Sequence, residues 1–170
     1  MNVFGPILLC YLALALQATL VPYIGIAGIQ PDLPLVAVTL IALGRGGTAG
    51  VVAGFLVGLA QDLTNPGFLG LNALAKCLLG YTAGTLRVRF DAGTAWTYGA
   101  LVAVATVAHD VVYLTIYTRL VLSEMFLSLA TRTLPTALYT AVAGAFVAVA
   151  TGALSGRGSH RLGRSQLARR

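Results

Sequence analysis

The sequence predicts an all-α polytopic integral membrane protein with six transmembrane helices, and three observations lead to this fold class. First, 58% of the 170 residues are hydrophobic and only 9% are charged, whereas a soluble domain carries about 25% charged residues. Second, the apolar residues stand in long blocks, as they do where a bilayer is the solvent. Third, at about 20 residues per crossing the chain allows roughly six helices and leaves almost nothing for a water-soluble catalytic domain.

The first two helices are predicted from an apolar block and from a helix-start pattern. Residues 3–21 form a long apolar run with no basic residue before it, which indicates a retained helix rather than a cleaved signal peptide. Asp32 and Pro34 are typical of the first turn of a helix, so we expect a short second helix that ends near Gly44. Residues 24–31 should approach this helix irregularly at the membrane surface.

The third and fourth helices, over residues 48–63 and 68–86, carry small residues at a spacing of four. The third has a glycine stripe, which Asp62 continues by one step, and the fourth has a glycine pair. These glycines are Gly50, Gly54, Gly58, Gly80 and Gly84. Such stripes let two helix backbones approach closely, and van der Waals packing is a main source of helix association in lipid. We therefore expect a helix-packing face, or a face for a partner, at these positions.

The fifth and sixth helices are predicted over residues 92–117 and 134–154. Between them, residues 118–131 place apolar side chains at helical spacing among charged ones, which predicts an amphipathic segment in the membrane interface. The sixth helix has its own small-residue stripe, formed by Ala137, Ala141 and Ala145.

The distribution of basic residues predicts that both termini are cytoplasmic. Eight of the eleven Lys and Arg residues then lie on the cytoplasmic side, in the loops with Arg45, Arg87 and Arg89 and in a tail with five arginines. Positive charge favours that side. We accordingly divide the chain into a transmembrane domain, residues 1–156, and a basic tail, residues 157–170. The tail either contacts anionic lipid or serves only as a topology signal, and the scatter of the other basic residues argues against nucleic-acid binding.

The side chains that could carry chemistry are few. The sequence has no zinc-ligand pattern, no phosphate-binding glycine motif and no serine-nucleophile motif, so we expect a non-enzymatic protein without a cofactor. An ionisable group inside a membrane is costly and marks a candidate functional site, although a structural ion pair is the competing interpretation. The candidate intramembrane polar network consists of Asn72, Lys76, His109 and Asp110.

Similar depth and opposite charge predict a pair between Lys76 and Asp110. Asn72 lies one turn from Lys76 and is expected to share the network. His109 points about 100° around the helix from Asp110 and should face another neighbour. The alternative is that Lys76 extends toward the membrane surface while Asp110 pairs with Arg119 or with water.

Four motifs follow one another over residues 31–87. They are Pro31-Asp32-Leu33-Pro34, then Gly54-Phe55 with Gly58-Leu59 and Asp62, then Leu69-Gly70 with Ala73-Leu74, and last Gly80-Tyr81 with Gly84. In order and spacing this set resembles the bacterial rod shape-determining MreD family. The length of the chain and the six-helix count fit that family as well, whereas residues 92–170 agree with it only in hydropathy.

The resemblance implies a non-enzymatic scaffold of the cell-elongation machinery in the bacterial inner membrane. Such a protein would bind the bitopic MreC and, with the actin-like MreB, link filaments to the peptidoglycan synthase made of RodA and a penicillin-binding protein. The family fold is similar to that of substrate-binding subunits of energy-coupling-factor transporters, so a small-solute-binding subunit is the alternative. Those subunits usually carry an Ala-x-x-x-Ala stripe on the first helix, and Ala13, Ala15 and Ala18 lack that spacing.

Overall fold

The computed structural model describes residues 4–26, 28–64, 69–86, 95–117 and 126–150, and within these ranges the chain is helical apart from short turns. The helices are α1 (Phe4–Thr19), α2 (Val21–Ile24), α3 (Leu33–Arg45), α4 (Gly47–Thr64), α5 (Leu71–Leu86), α6 (Ala95–Tyr117) and α7 (Leu134–Ala150), and a π-helical turn (Leu129–Thr133) leads into α7. The described elements agree with the all-α class that the sequence predicts.

The composition of the helices and their outer surface are those of a membrane protein. Three helices are long and apolar enough to cross a bilayer, Gly47–Thr64, Ala95–Ile116 and Phe126–Ala150, and α1 and α3 are shorter apolar helices. Large apolar side chains cover the outside of the bundle, and Phe146 on α7 is 74% exposed. Apolar surface this extensive is rare on soluble monomers, and it is the surface that lipid requires.

The core is built around α3. Nine of its 13 residues are buried, and they pack against every one of the longer helices. Val36 and Leu43 contact α6 and α7, whereas Val38 and Ile41 contact α4 and α1, and Leu35 packs against Leu79 of α5. A helix of 13 residues is about 20 Å long, shorter than the roughly 30 Å hydrocarbon core.

The approach to α3 is outside the helices, as the sequence predicts, with only Ile24 belonging to the short α2. Within it, Ile26 and Ile29 exchange two backbone hydrogen bonds. Tyr139 of α7 donates its hydroxyl hydrogen bond to the carbonyl of Ile24 at 3.1 Å. One side chain of α7 thus ties this segment to the bundle.

Other helix boundaries agree closely with the sequence. The predicted second helix, from Asp32 to Gly44, corresponds to α3. The last helix begins earlier than expected, because Phe126–Ala150 is one helical stretch, and the described end of the predicted amphipathic segment is continuous with α7. Residues 118–125 of that segment and the tail, residues 157–170, lie outside the described residues.

Candidate functional site

The N-terminus of α3 lies inside the bundle, where side chains accept its backbone hydrogen bonds. The N–H of Asp32 donates to Thr140 Oγ1 on α7 at 3.1 Å, and the N–H of Leu33 donates to Gln17 Oε1 on α1 at 2.9 Å. The next residue is a proline without an N–H, and the N–H of Leu35 donates to Asp32 Oδ1 at 2.9 Å. The first N–H groups of a helix have no intrahelical partner, and here each one has a side-chain acceptor.

A charged cluster, made of Asp32, Lys76, His109 and Asp110, extends from this helix start. Lys76 Nζ lies 2.9 Å from Asp32 Oδ2 and 3.3 Å from His109 Nε2, and His109 Nδ1 lies 3.1 Å from Asp110 Oδ1. The Lys76 side chain is completely buried, whereas 26% of the Asp110 side chain is exposed. The cluster therefore runs from the centre of the bundle to its edge.

The hydrogen-bond directions follow from the donors. An ammonium group only donates, so Nε2 of His109 must accept from Lys76, which puts the ring hydrogen on Nδ1, from where it donates to Asp110. His109 is then neutral.

The partner of Lys76 differs from the expected one. Lys76 pairs with Asp32, not with Asp110, and His109 lies between Lys76 and Asp110. The physical reason is the depth at which α3 begins. Because α3 is short and starts inside the bundle, its first carboxylate reaches the level of Lys76, five residues into α5. From the sequence, His109 is counted in the network but is expected to face a neighbour other than Asp110, and Asp32 is left out of the network. The structure places His109 Nδ1 against Asp110 and brings in Asp32.

Asn72 belongs to a second polar site, centred on Asp62. The Asp62 carboxylate accepts four hydrogen bonds, from the backbone N–H groups of Gly70, Asn72 and Ala73 and from Asn72 Nδ2, at 2.9–3.1 Å. Only 1% of Asp62 is exposed. A carboxylate at the N-terminus of a helix satisfies free donors and meets the positive end of the helix dipole. Asp62 on α4 therefore caps α5, a role that its place in the glycine stripe did not indicate.

The two glycine stripes face each other between α4 and α5. A Cβ at Gly50 would collide with the carbonyl of Gly80, one at Gly54 with the carbonyl of Lys76, and one at Gly84 with the backbone of Gly47. A Cβ at Gly58 would come within 2.5 Å of the Ala73 Cα atom. These glycines let the α4 and α5 backbones touch. Both stripes are therefore buried in a contact within this chain and are not available to a partner protein.

The α6–α7 contact uses the alanine stripe in a similar but looser way. A Cβ at Gly99 of α6 would lie 3.2 Å from the carbonyl oxygen of Ala141 and 3.5 Å from the Ala145 side chain. At Gly144 it would meet Val102 at 3.0 Å. All three small-residue stripes therefore serve contacts between helices of this chain.

Within the described ranges, no group of three or more His, Cys, Asp or Glu side chains is placed to hold a metal ion. Cys10 and Cys77 are both free thiols, and Cys77 Sγ donates to the carbonyl of Val51 at 3.5 Å.

The charged cluster joins helices. Together with Gln17 and Thr140, it connects α1, α3, α5, α6 and α7 through hydrogen bonds.

Comparison with known proteins gives one match. The model of a family described as "rod shape-determining protein MreD" matches residues 1–150 of the chain. No curated protein and no solved structure gives a significant match.

Proposed function

The chain belongs to the MreD family of rod shape-determining membrane proteins, and from this membership we propose that it is a non-enzymatic scaffold of the bacterial cell-elongation machinery. In this proposal it binds MreC in the inner membrane and links it to peptidoglycan synthesis. The observation that carries the proposal is the length of the family match, which covers every described helix. The family acts in shape determination, which is a structural role.

The proposal includes a topology of six crossings with both termini in the cytoplasm. The crossings are α1, α3, α4, α5, α6 and the stretch Phe126–Ala150. Arg45, at the end of α3, is exposed, and positive charge favours the cytoplasmic side. In this orientation α3, α5 and α7 begin toward the outer surface, so the charged cluster lies in the outer half of the membrane.

The architecture supports a scaffold because the central helix is fixed from all sides. A scaffold must present the same outer faces to its partners, and faces keep their relative positions when the helices behind them are locked. Here close backbone contact joins α4 to α5, and side-chain acceptors on α1 and α7 hold the start of α3. The outer surface is apolar, as association with the transmembrane helices of other proteins requires.

Depletion and purification test the proposal together. Depletion of the protein should convert rod-shaped cells to round ones, and the full-length chain, extracted in mild detergent, should co-purify with MreC. MreB, RodA and its penicillin-binding protein are the further partners that we expect in the same preparation. Membranes without the tagged chain, taken through the same extraction, provide the control for non-specific capture. Normal rods after depletion, or the absence of MreC, would reject the scaffold proposal.

Mass spectrometry of the same preparation tests the transporter alternative. A stoichiometric vitamin or other small solute, bound without MreC, would favour a solute-binding subunit of an energy-coupling-factor transporter. We expect lipid and partner proteins instead.

A further inference from the structure

The contact between α5 and α6 is packed less tightly than the contacts on either side of it. Glycines bring α4 against α5, and they also bring α6 close to α7. Between α5 and α6, by contrast, lies a cavity of about 90 Å³ that reaches to α3 and has mainly apolar walls. Leu35, Leu79 and Ala105 form the apolar cluster that packs this seam. The α5–α6 seam is therefore the place where the bundle can open with the least loss of packing.

A polar contact crosses the seam beside the cavity. Lys76 of α5 stands one turn before Leu79, which lines the cavity, and His109 of α6 directly follows another lining residue, Ala108. Lys76 Nζ lies 3.3 Å from His109 Nε2. The Lys76 side chain is completely buried, and only 7% of the His109 side chain is exposed. A direct contact between two ionisable side chains thus joins α5 to α6 out of reach of water.

The ring of His109 has no place for a second proton in this arrangement. Nε2 accepts from the Lys76 ammonium group, and Nδ1 donates to Asp110 at 3.1 Å. A second proton would have to bind at Nε2, where it would face a group that has only hydrogens to offer. Two positive charges at this distance repel each other strongly where water is excluded. His109 can therefore gain a proton only if its ring and Lys76 move apart.

The elements packed around His109 bring other charged and titratable groups, and none of the described ones replaces Lys76 at Nε2. They are Lys76 on α5, Asp32 on α3, Asp110 and Tyr113 on α6, Arg132 on the π-helical turn and Tyr139 on α7. Asp32 lies 2.9 Å from Lys76 Nζ and so holds the ammonium group in place. The Tyr113 ring stacks on the imidazole at 6.1 Å, Arg132 is exposed, and Tyr139 donates to a carbonyl at the end of α2.

We propose that the Lys76–His109 contact is an acid-sensitive latch, which opens the seam between α5 and α6 when His109 gains a proton. This goes beyond the scaffold proposal, since the latch works whichever protein the bundle binds. The loose seam and the fully used imidazole support it independently. Asp110, a quarter of whose side chain is exposed, connects the buried ring to the edge of the bundle.

The direction of the pH dependence follows from the number of protons on the ring. The closed latch holds one ring proton, whereas a histidine open to water takes up a second one below about pH 6.5. The open form therefore binds more protons than the closed form. The latch should stay closed above about pH 7, and below about pH 6.5 the ratio of open to closed molecules should rise by up to about tenfold per pH unit.

Nitrogen NMR of the imidazole tests the protonation step. The full-length chain is labelled with ¹⁵N-histidine and placed in lipid nanodiscs, with His160→Gln in the tail so that His109 is the single histidine. At about pH 7.5 we expect one ring proton, on Nδ1, and between about pH 6.5 and 5 a second one on Nε2. A ring that is doubly protonated at about pH 7.5, or still neutral at about pH 5, would overturn the latch.

Distances between spin labels test the opening of the seam. Labels at Leu78 on α5 and Val104 on α6, which are both exposed, span the seam, and a matched pair at Leu78 and Phe55 spans the α4–α5 contact. The two native cysteines are replaced by alanine. We expect a population with a longer Leu78–Val104 distance to grow over the same pH range in which the ring gains its proton. The distance between Leu78 and Phe55 should stay constant.

Two variants identify the group that responds to acid. His109→Gln cannot gain a proton, but its side-chain oxygen can accept from Lys76, so the seam should stay closed down to about pH 5. Asp110→Asn keeps an acceptor for Nδ1 and removes the neighbouring carboxylate, and it should still open. Thermal unfolding at about pH 7.5 shows whether each variant folds. If His109→Gln does not fold, the wild-type chain decides by whether the ring and the label distance change at the same pH.

Four results would contradict the latch. They are a Leu78–Val104 distance that stays fixed while the ring gains its proton, equal opening in His109→Gln, loss of opening in Asp110→Asn, and an equal change in the Leu78–Phe55 pair, which would indicate general unfolding in acid. These measurements need no partner protein, so a latch that fails leaves the scaffold proposal standing, and absence of MreC from the purified preparation leaves the latch standing.

Discussion

The α4–α5 interface and the charged cluster hold the same bundle together by different physical means. Between α4 and α5 the glycines bring backbone against backbone, with no space for even one added carbon atom. At the start of α3, long polar side chains reach between helices, and charge and hydrogen bonds make the connection. The first region should therefore be sensitive to volume and indifferent to charge, and the second should be sensitive to charge and more tolerant of shape.

The largest loss of stability should come from added side-chain volume between α4 and α5. Gly54→Leu places a side chain where the backbone carbonyl of Lys76 stands, so α4 and α5 must separate. We expect a loss of about 4–5 kcal/mol in the free energy of unfolding, above the roughly 1–3 kcal/mol typical of an overpacked core, because the obstacle is backbone rather than a flexible side chain. The measurement is the yield and thermal unfolding of the purified protein in detergent.

The matched control for this variant is Gly44→Leu. Gly44 is a helical glycine of α3 with no neighbouring atom within 4 Å of an added Cβ. It should fold like the wild type, apart from the small difference in helix propensity between Gly and Leu. Equal stability of Gly54→Leu and Gly44→Leu would show that α4 and α5 do not pack as described.

The next largest loss of stability should come from removing the Lys76 charge from the charged cluster. Lys76→Met keeps the length of the side chain but leaves the Asp32 carboxylate without its cation, and removal of one partner from a buried pair costs about 3–5 kcal/mol. Leu78→Met, on the exposed side of the same helix, should cost less than about 1.5 kcal/mol. Chemical unfolding in mixed micelles measures both. A Lys76→Met protein as stable as Leu78→Met would remove the distinction between the two regions.

A third, smaller loss of stability is expected at Asp62, where the glycine stripe and a polar contact coincide. Asp62 continues the glycine stripe of α4, yet it works through hydrogen bonds to the start of α5. Asp62→Ala leaves several buried donors without an acceptor and should cost about 3 kcal/mol, whereas Asp62→Asn keeps one acceptor oxygen and should cost less. Hydrogen exchange at the first turn of α5 should rise most in the alanine variant. Unchanged exchange there would show that the cap is dispensable.

Features that depend on residues close together in sequence could be predicted. Features that depend on where a helix begins within the bundle, or on how closely two helices pack, could not. The glycine stripes and the start of α3 at Asp32 are visible in spacing and residue type alone. The Asp32–Lys76 pair joins residues 44 positions apart, and it forms only because α3 is short enough to begin inside the bundle. The cap of α5 by Asp62 depends on how closely α4 and α5 approach, which is again a property of the packed molecule.

His109 is a second feature that the sequence could not predict, because it depends on which face of α6 points into the bundle. Adjacent residues of a helix point about 100° apart, and the sequence alone did not indicate which of His109 and Asp110 faces the interior. The structure turns His109 inward to Lys76 and leaves Asp110 at the edge.

A double-mutant cycle on Asp32 and Lys76 tests most directly the claim that their pair fixes the start of the central helix. Asp32→Asn keeps an acceptor for the N–H of Leu35, so the cycle with Lys76→Met isolates the ionic contact. Free energies of unfolding of the wild type, both single variants and the double variant should give a coupling of about 1–3 kcal/mol. The parallel cycle of Asp110→Asn with Lys76→Met should give a smaller coupling. No coupling for Asp32, or a larger one for Asp110, would contradict the structure.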